Sequence, residues 1–244
     1  LVPSKSRIYE EKLEGTAIPA LRMEVPKQIH TTWKDIFWLD GGAIFAKEVS
    51  VDTDVFLKTD THWNPQGAYK IAQAAAEAIE TSCSGVEAEP VEYVFTNQAP
   101  QTFDADLARF VPTWFRQKYN HETYEKINVE ASSSGNSGAL FGESTIRYAL
   151  VGTSYSAVPE WNFEGVLKGA LKSDVLNLAD PGEGPFVPMQ KFLRDTDFSS
   201  TDLRVVIWEI PERFLPVDYG TFEIPALPAQ ENKQAPCKAT GARG

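Results

Sequence analysis

Histidine and cysteine are scarce in this chain, with three and two residues among 244. Neither cysteine has a second Cys or a His at ligand spacing, which excludes a local Cys/His zinc site, and no metal is expected. Two cysteines, Cys83 and Cys237, fit one disulfide in an oxidising compartment as well as they fit two free thiols. No apolar run approaches the ~20 residues a membrane-spanning helix needs, and no signal peptide is present. Cations are the minority charge, 23 Lys and Arg against 34 Asp and Glu, so the net charge is −11. A chain this acidic repels a phosphate backbone, and nucleic acid is excluded as a partner.

What remains is ample for a folded domain. Hydrophobic residues make up 42% and charged residues 23%, enough to bury one core. Extended runs near 42–48, 55–58, 146–151, 174–178 and 204–210 alternate with helical patterns near 65–82, 103–117, 160–171 and 186–194. Such alternation predicts an α/β fold. Residues 130–138 read as a flexible loop. From Pro216 onward no periodic element is evident, so residues 217–244 read as a tail without an independent domain. The chain opens inside what reads as a strand, at Leu1-Val2-Pro3, and upstream residues, an export signal or anchor among them, are expected.

The densest chemical signal is Asp60-Thr61-His62-Trp63-Asn64-Pro65. Asn64 is a good N-cap, Pro65 suits the first helical position, and Ala68, Ile71, Ala72, Ala75 and Ile79 follow at helical spacing. Asp60 and His62 therefore fall in a strand-to-helix loop, where α/β folds carry reactive groups. The pair also fits a plain cap with a buried, hydrogen-bonded histidine. His30 and His121 lie in polar stretches, which concentrates the general-base assignment on His62.

A histidine base needs a nucleophile. The apolar run ending at Val151 leads into Gly152-Thr153-Ser154, where Gly152 permits a tight turn that projects Ser154 while nearby backbone N–H groups form an oxyanion hole. Ser156 is the alternative nucleophile. The last strand ends at Glu209-Ile210-Pro211-Glu212-Arg213, on the edge where α/β proteins bind ligands. Arg213 is a candidate for an acidic ligand or for an ion pair with Glu209 or Glu212; Arg147, Lys168 and Lys172 are further cations near the motifs. Trp63 and Tyr155 are candidate sugar-ring contacts, and Trp161 is left open.

Three segments in this order, Asp60-Thr61-His62-Trp63 with Pro65-x-Gly67-Ala68, Val151 to Ser156, and Val206 to Arg213, resemble the periplasmic alginate O-acetyltransferases of the AlgJ/AlgX type. The resemblance covers residues 1–216. It implies an SGNH-hydrolase-like (flavodoxin-like), mostly parallel sheet flanked by helices, with the motif order permuted: Asp60 and His62 precede Ser154, whereas ordinary SGNH esterases place the serine first. It further implies a triad of Ser154, His62 and Asp60, an acetyl-serine intermediate, and mannuronate residues of alginate as acceptor. No cofactor is implied beyond an acetyl donor, supplied through a membrane-bound O-acyltransferase alongside other alginate-assembly proteins. The AlgX type carries an added carbohydrate-binding module, for which the residues after Pro216 are too few, so the AlgJ type is favoured. An acetyl-esterase with the same triad and a non-catalytic polysaccharide-binding scaffold are the rival readings.

Overall fold

The computed structural model describes residues 1–216 other than 14, 16, 17, 33–35, 49–53, 84, 87, 89, 120 and 133–144. Residues 217–244, and with them Cys237, lie outside the described residues, as does most of the expected loop at 130–138.

Three parallel strands organise the molecule: β5 (Tyr148–Val151) lies between β6 (Val175–Asn177) and β7 (Val205–Trp208). Every residue of β5 is buried, and its side chains alternate between two cores. Tyr148 and Leu150 join the main core with helices α4 (Pro65–Ser82) and α7 (Phe163–Leu171), while Ala149 and Val151 pack with Met189 and Phe192 of α8 (Phe186–Asp195). Helices on both faces explain why these strands read as continuous apolar runs. α4 starts as its sequence demands, with Pro65 at the first helical position and Asn64 Oδ1 accepting the Gly67 N–H at 2.8 Å. Gly67 is needed there, because a Cβ would stand 2.2 Å from the Val55 carbonyl oxygen. The alanines on the buried face of α4 let α7 pack closely against it.

The expectation failed at several places, among them residues 55–58, which carry an isolated bridge from Phe56 to Trp63 in place of a strand. Residues expected as an extended run at 42–48 form helix α3 (Gly41–Glu48), whose start is fixed by Asp40 Oδ1 accepting the Gly42 N–H at 2.8 Å. The expected helix at 103–117 is instead strand β2 (Gln101–Asp104), a 3-10 turn at Asp106–Phe110 and the short helix α5 (Thr113–Tyr119). β2 pairs antiparallel with β3 (His121–Tyr124), and β1 (Tyr93–Asn97) with β4 (Ile127–Ala131). These strands were illegible because β1 and β2 are largely exposed and lack a buried alternating face.

At the chain's opening, the short helix α1 (Lys5–Ile8) follows a single parallel bridge between Val2 and Pro211 rather than a full strand. The Val2 N–H donates to the Ile210 carbonyl at 2.8 Å, and the Glu212 N–H donates to the Val2 carbonyl at 2.9 Å. Helix α2 spans Ala20–Thr32. Cys83, at the end of α4, is disulfide-bonded. Among the described residues no helix is long and apolar enough to cross a membrane.

Candidate active site

The loop from Val55 to Asn64 is closed by backbone pairing: Phe56 bridges Trp63, the Leu57 N–H donates to His62 O, and the Asn64 N–H donates to Val55 O. Three further elements tether its tip. The Lys5 ammonium donates to the carbonyls of Lys58 and Asp60 at 2.6 and 3.2 Å, and Glu122 accepts both the N–H and the hydroxyl of Thr59 at 2.6 Å. Asp106 accepts the Thr61 N–H at 2.8 Å and its hydroxyl at 2.6 Å.

Within this frame Asp60 is fully buried. Its Oδ1 accepts the His62 N–H at 2.9 Å and lies 2.6 Å from His62 Nδ1, while Oδ2 accepts the Asp106 N–H at 2.7 Å. Burial pushes the carboxyl up, but the bonds from the His62 ring and the two backbone N–H groups outweigh it and hold Asp60 below the usual carboxylate range. An ionised carboxylate only accepts, so Nδ1 carries a proton. Nε2 faces Ser154 Oγ at 2.7 Å, across 92 positions of sequence. The imidazole stacks on Trp161, with centroids 4.5 Å apart at 20°, and tilts against Tyr155 at 4.7 Å.

Ser154 opens the one-turn helix α6 (Ser154–Ala157) directly after β5. Beneath this turn lies Glu209, a residue whose role no motif signals. Its buried carboxylate accepts the Thr153 N–H at 2.7 Å and the Ser156 hydroxyl at 3.2 Å. Burial pushes the Glu209 carboxyl up, opposed by the bonds from Thr153 and Ser156. Gly152 is required by close approach rather than by an unusual backbone, since a Cβ would meet Glu209 Oε2 at 2.6 Å. Ser156 is thus a buried support, and Ser154 is the serine on the histidine. The N–H groups of Thr153, Tyr155 and Ser156 are engaged by Glu209, Thr153 Oγ1 and Thr153 O respectively. The Ser154 N–H stands first in α6, where a helix has no internal acceptor.

The aromatic assignments need correction. Trp63 is fully buried between Tyr155 and Phe163 and cannot touch a sugar. Tyr155 is 3% exposed, its hydroxyl donating to the Thr61 carbonyl at 2.6 Å; burial raises its pKa. Trp161 is a buried bracket, donating to the carbonyls of Ser154 and Tyr155 at 3.1 and 2.9 Å.

Arg213 stands differently. The anticipated partners are occupied elsewhere, Glu209 by Thr153 and Ser156, and Glu212 by Arg7 at 2.5 Å. Among the described residues Arg213 makes no ion pair; its guanidinium lies 5.4 Å from the Tyr155 ring centroid. It lines a cavity of about 170 Å³ together with Ser4, Thr61, Leu107 and Tyr155. Arg147 pairs with Asp202 at 3.2 Å before the start of β5, at the opposite end from Ser154. Lys168 is held by Glu164 and Asp174 at 2.7 and 2.9 Å, and Lys172 ends α7. A larger apolar cavity of about 380 Å³ lies between α4 and β7, and neither cavity is lined by Asp60, His62 or Ser154.

Known proteins are similar to this chain. Residues 1–212 fit the family described as SGNH hydrolase-like domain, acetyltransferase AlgX. The chain is 36% identical over 237 residues to "Probable alginate O-acetylase AlgJ" of Pseudomonas syringae pv. tomato, covering 91% of this chain and 59% of that protein. The AlgJ protein of Pseudomonas aeruginosa is also 36% identical, over 231 residues, covering 89% of this chain and 58% of the relative. The chain thus spans less than two thirds of the length of these curated relatives. Among solved structures, the O-acetyltransferase domain of Pseudomonas putida AlgJ superposes with a TM-score of 0.76 at 33% identity, over 94% of this chain and 78% of that one. On the extent of these matches, the chain belongs to the family of SGNH hydrolase-like acetyltransferase domains that includes AlgX and AlgJ.

Proposed function

We propose that residues 1–216 form the catalytic domain of an alginate O-acetyltransferase, with Asp60, His62 and Ser154 as its triad in an order permuted relative to ordinary SGNH esterases. The observation that carries this reading is the unbroken chain from Asp60 Oδ1 to His62 Nδ1 at 2.6 Å and from His62 Nε2 to Ser154 Oγ at 2.7 Å. The names of its AlgJ relatives support the acetyl group and the alginate acceptor.

Ser154 Oγ attacks the carbonyl carbon of the acetyl donor as His62 Nε2 takes the hydroxyl proton. Negative charge gathers on the former carbonyl oxygen, and the Ser154 N–H is the donor best placed to receive it. Collapse expels the donor's leaving group, which takes the proton from His62, and leaves acetyl-Ser154. A mannuronate hydroxyl then attacks the ester as His62 removes its proton. The sugar keeps the acetyl group, and Ser154 recovers its hydrogen from His62. Asp60 fixes the imidazole's tautomer and orientation and offsets the charge of the transient imidazolium. In this scheme no metal or organic cofactor takes part, and the donor is the sole co-reactant. Arg213 meets the sugar carboxylate. Acetyl groups arrive through a membrane-bound O-acyltransferase, and other alginate-assembly proteins act alongside in the periplasm.

The test is incubation with a small acetyl ester and defined mannuronate oligomers, followed by mass spectrometry. A gain of one acetyl group, lost in Ser154→Ala, is expected. Ester hydrolysis with no transfer to any uronate would assign the protein to the esterases.

A further inference from the structure

From Asp106 to Tyr119 the chain carries three cations, Arg109, Arg116 and Lys118, against one acid, in a protein of net charge −11. The same stretch holds the two most exposed large hydrophobic side chains among the described residues, Phe110 at 73% and Trp114 at 79%. The Trp114 and Phe115 rings lie 4.1 Å apart, and the Arg109 guanidinium sits 4.9 Å from the Phe110 centroid. The single acid, Asp106, is engaged with Thr61. Among the described residues neither Arg109 nor Lys118 makes an ion pair with a carboxylate. An exposed aromatic surface costs free energy in water and marks a place where something binds. Its cations specify an anionic partner.

The strip is also continuous with the triad. It begins where the Asp106 N–H donates to Asp60 Oδ2 at 2.7 Å and the Leu107 N–H donates to Thr59 O at 3.1 Å. Leu107 lines the same cavity as Arg213. A polymeric acceptor held at Ser154 must leave the site over a neighbouring surface. This one offers aromatic faces for the apolar sides of pyranose rings and cations for their carboxylates.

We infer that Arg109, Phe110, Trp114 and Lys118 form a platform for the uronate chain beside the proposed triad, holding sugar units beyond the one that is acetylated. The inference rests on the proposed reading of the site and adds to it a dependence on acceptor length. It favours a polysaccharide over a membrane surface because the strip begins at backbone bonded to Asp60 and Thr59, beside the proposed triad, which a lipid contact would not require.

The experiment measures acetyl transfer to short and long mannuronate oligomers, with a small acetyl ester as donor, for the unaltered chain, Phe110→Ala/Trp114→Ala and Arg109→Gln/Lys118→Gln. Sedimentation with anionic phospholipid vesicles runs alongside. Both double variants should raise KM for the long acceptor by about tenfold, the equivalent of one good contact, with kcat, the short-acceptor KM and ester hydrolysis unchanged. These side chains are surface-exposed, and unchanged ester hydrolysis certifies the fold. Transfer to uronates with a long-acceptor KM that no variant moves overturns the platform alone. Vesicle binding that the variants abolish, with unchanged KM, also overturns it, in favour of a membrane contact. Ester hydrolysis with no transfer to any uronate overturns the functional reading and the platform with it.

Discussion

The Glu209 carboxylate accepts the backbone N–H of Thr153 at 2.7 Å, joining the end of the last described strand to the residue before Ser154 across 56 positions. The β5–β7 register produces this contact, since Val151 pairs with Trp208 and the next residues on each strand meet beyond the sheet edge. Glu209→Ala would strand the Thr153 N–H and the Ser156 hydroxyl in a dry site, at about 1–3 kcal/mol for each unsatisfied group. Thermal unfolding should therefore show a lower Tm and ester hydrolysis a lower turnover. Gly152→Ala, which drives a Cβ into the same carboxylate, should lower both as well. Variants with unaltered Tm and turnover would remove Glu209 from its supporting role.

Ser154→Ala should abolish acetyl release from a chromogenic ester at unchanged Tm. Ser156→Ala removes only a bond to Glu209 and should keep turnover while costing about 1 kcal/mol of stability. The reverse pattern would exchange the roles of the two serines.

Asp60→Asn should cut turnover by about 10⁴-fold, because an amide in place of the carboxylate favours the wrong imidazole tautomer. Combining it with Ser154→Ala should add almost nothing, since triad members act as a unit. Independent, additive losses in the double variant would argue for separate roles.

The depressed Asp60 carboxyl also makes a statement about stability. A group whose pKa is lower folded than unfolded contributes stability above its unfolded pKa, about 3.9, and loses it as pH falls through the folded value. The stability gap between the unaltered protein and Asp60→Asn should thus be flat from about pH 5 to 8 and shrink below about pH 4. Chemical denaturation across that range reads it, and a gap that widens on acidification would contradict the assignment.

Arg213→Ala should impair transfer to mannuronate oligomers by about tenfold while leaving hydrolysis of a neutral ester near its original rate. Transfer should also weaken more steeply with added salt than ester hydrolysis does, because screening acts on the charged acceptor. Equal impairment of both reactions would make Arg213 a structural residue.

The meeting of Asp60, His62 and Ser154 was legible because each half carries a local signal: a capped, proline-started helix after His62, and a glycine turn after a buried strand before Ser154. The expected runs at 65–82, 146–151, 174–178, 186–194 and 204–210 correspond to α4, β5, β6, α8 and β7 for the same reason, apolar patterning of segments buried against the sheet. Where elements are exposed, as in β1 and β2, burial leaves no periodic trace to read. α3 was misread because its short apolar run satisfies either period, although Asp40 stood before it as a cap. Trp63 was misassigned because adjacency to His62 in sequence says nothing about facing: alternate residues of an extended loop point opposite ways, His62 to the serine and Trp63 into the core. Glu209 was read only as an ion-pair candidate for Arg213, since its bond to Thr153 arises only when β7 is laid beside β5.

The stitching of Val2 to Ile210 and Glu212, and of the Ser4 N–H to the Glu212 carboxylate at 2.9 Å across 208 positions, has a kinetic meaning. Lys5, which pins the Asp60 loop, directly follows the Val2–Ser4 stretch that Ile210 and Glu212 secure. The geometry of Asp60, His62 and Ser154 therefore leans on contacts of high sequence separation, whose loop-closure entropy must be met before they are rewarded. A nascent chain that already contains Asp60, His62 and Ser154 but has not reached Arg213 holds the three groups without the lock that aligns them.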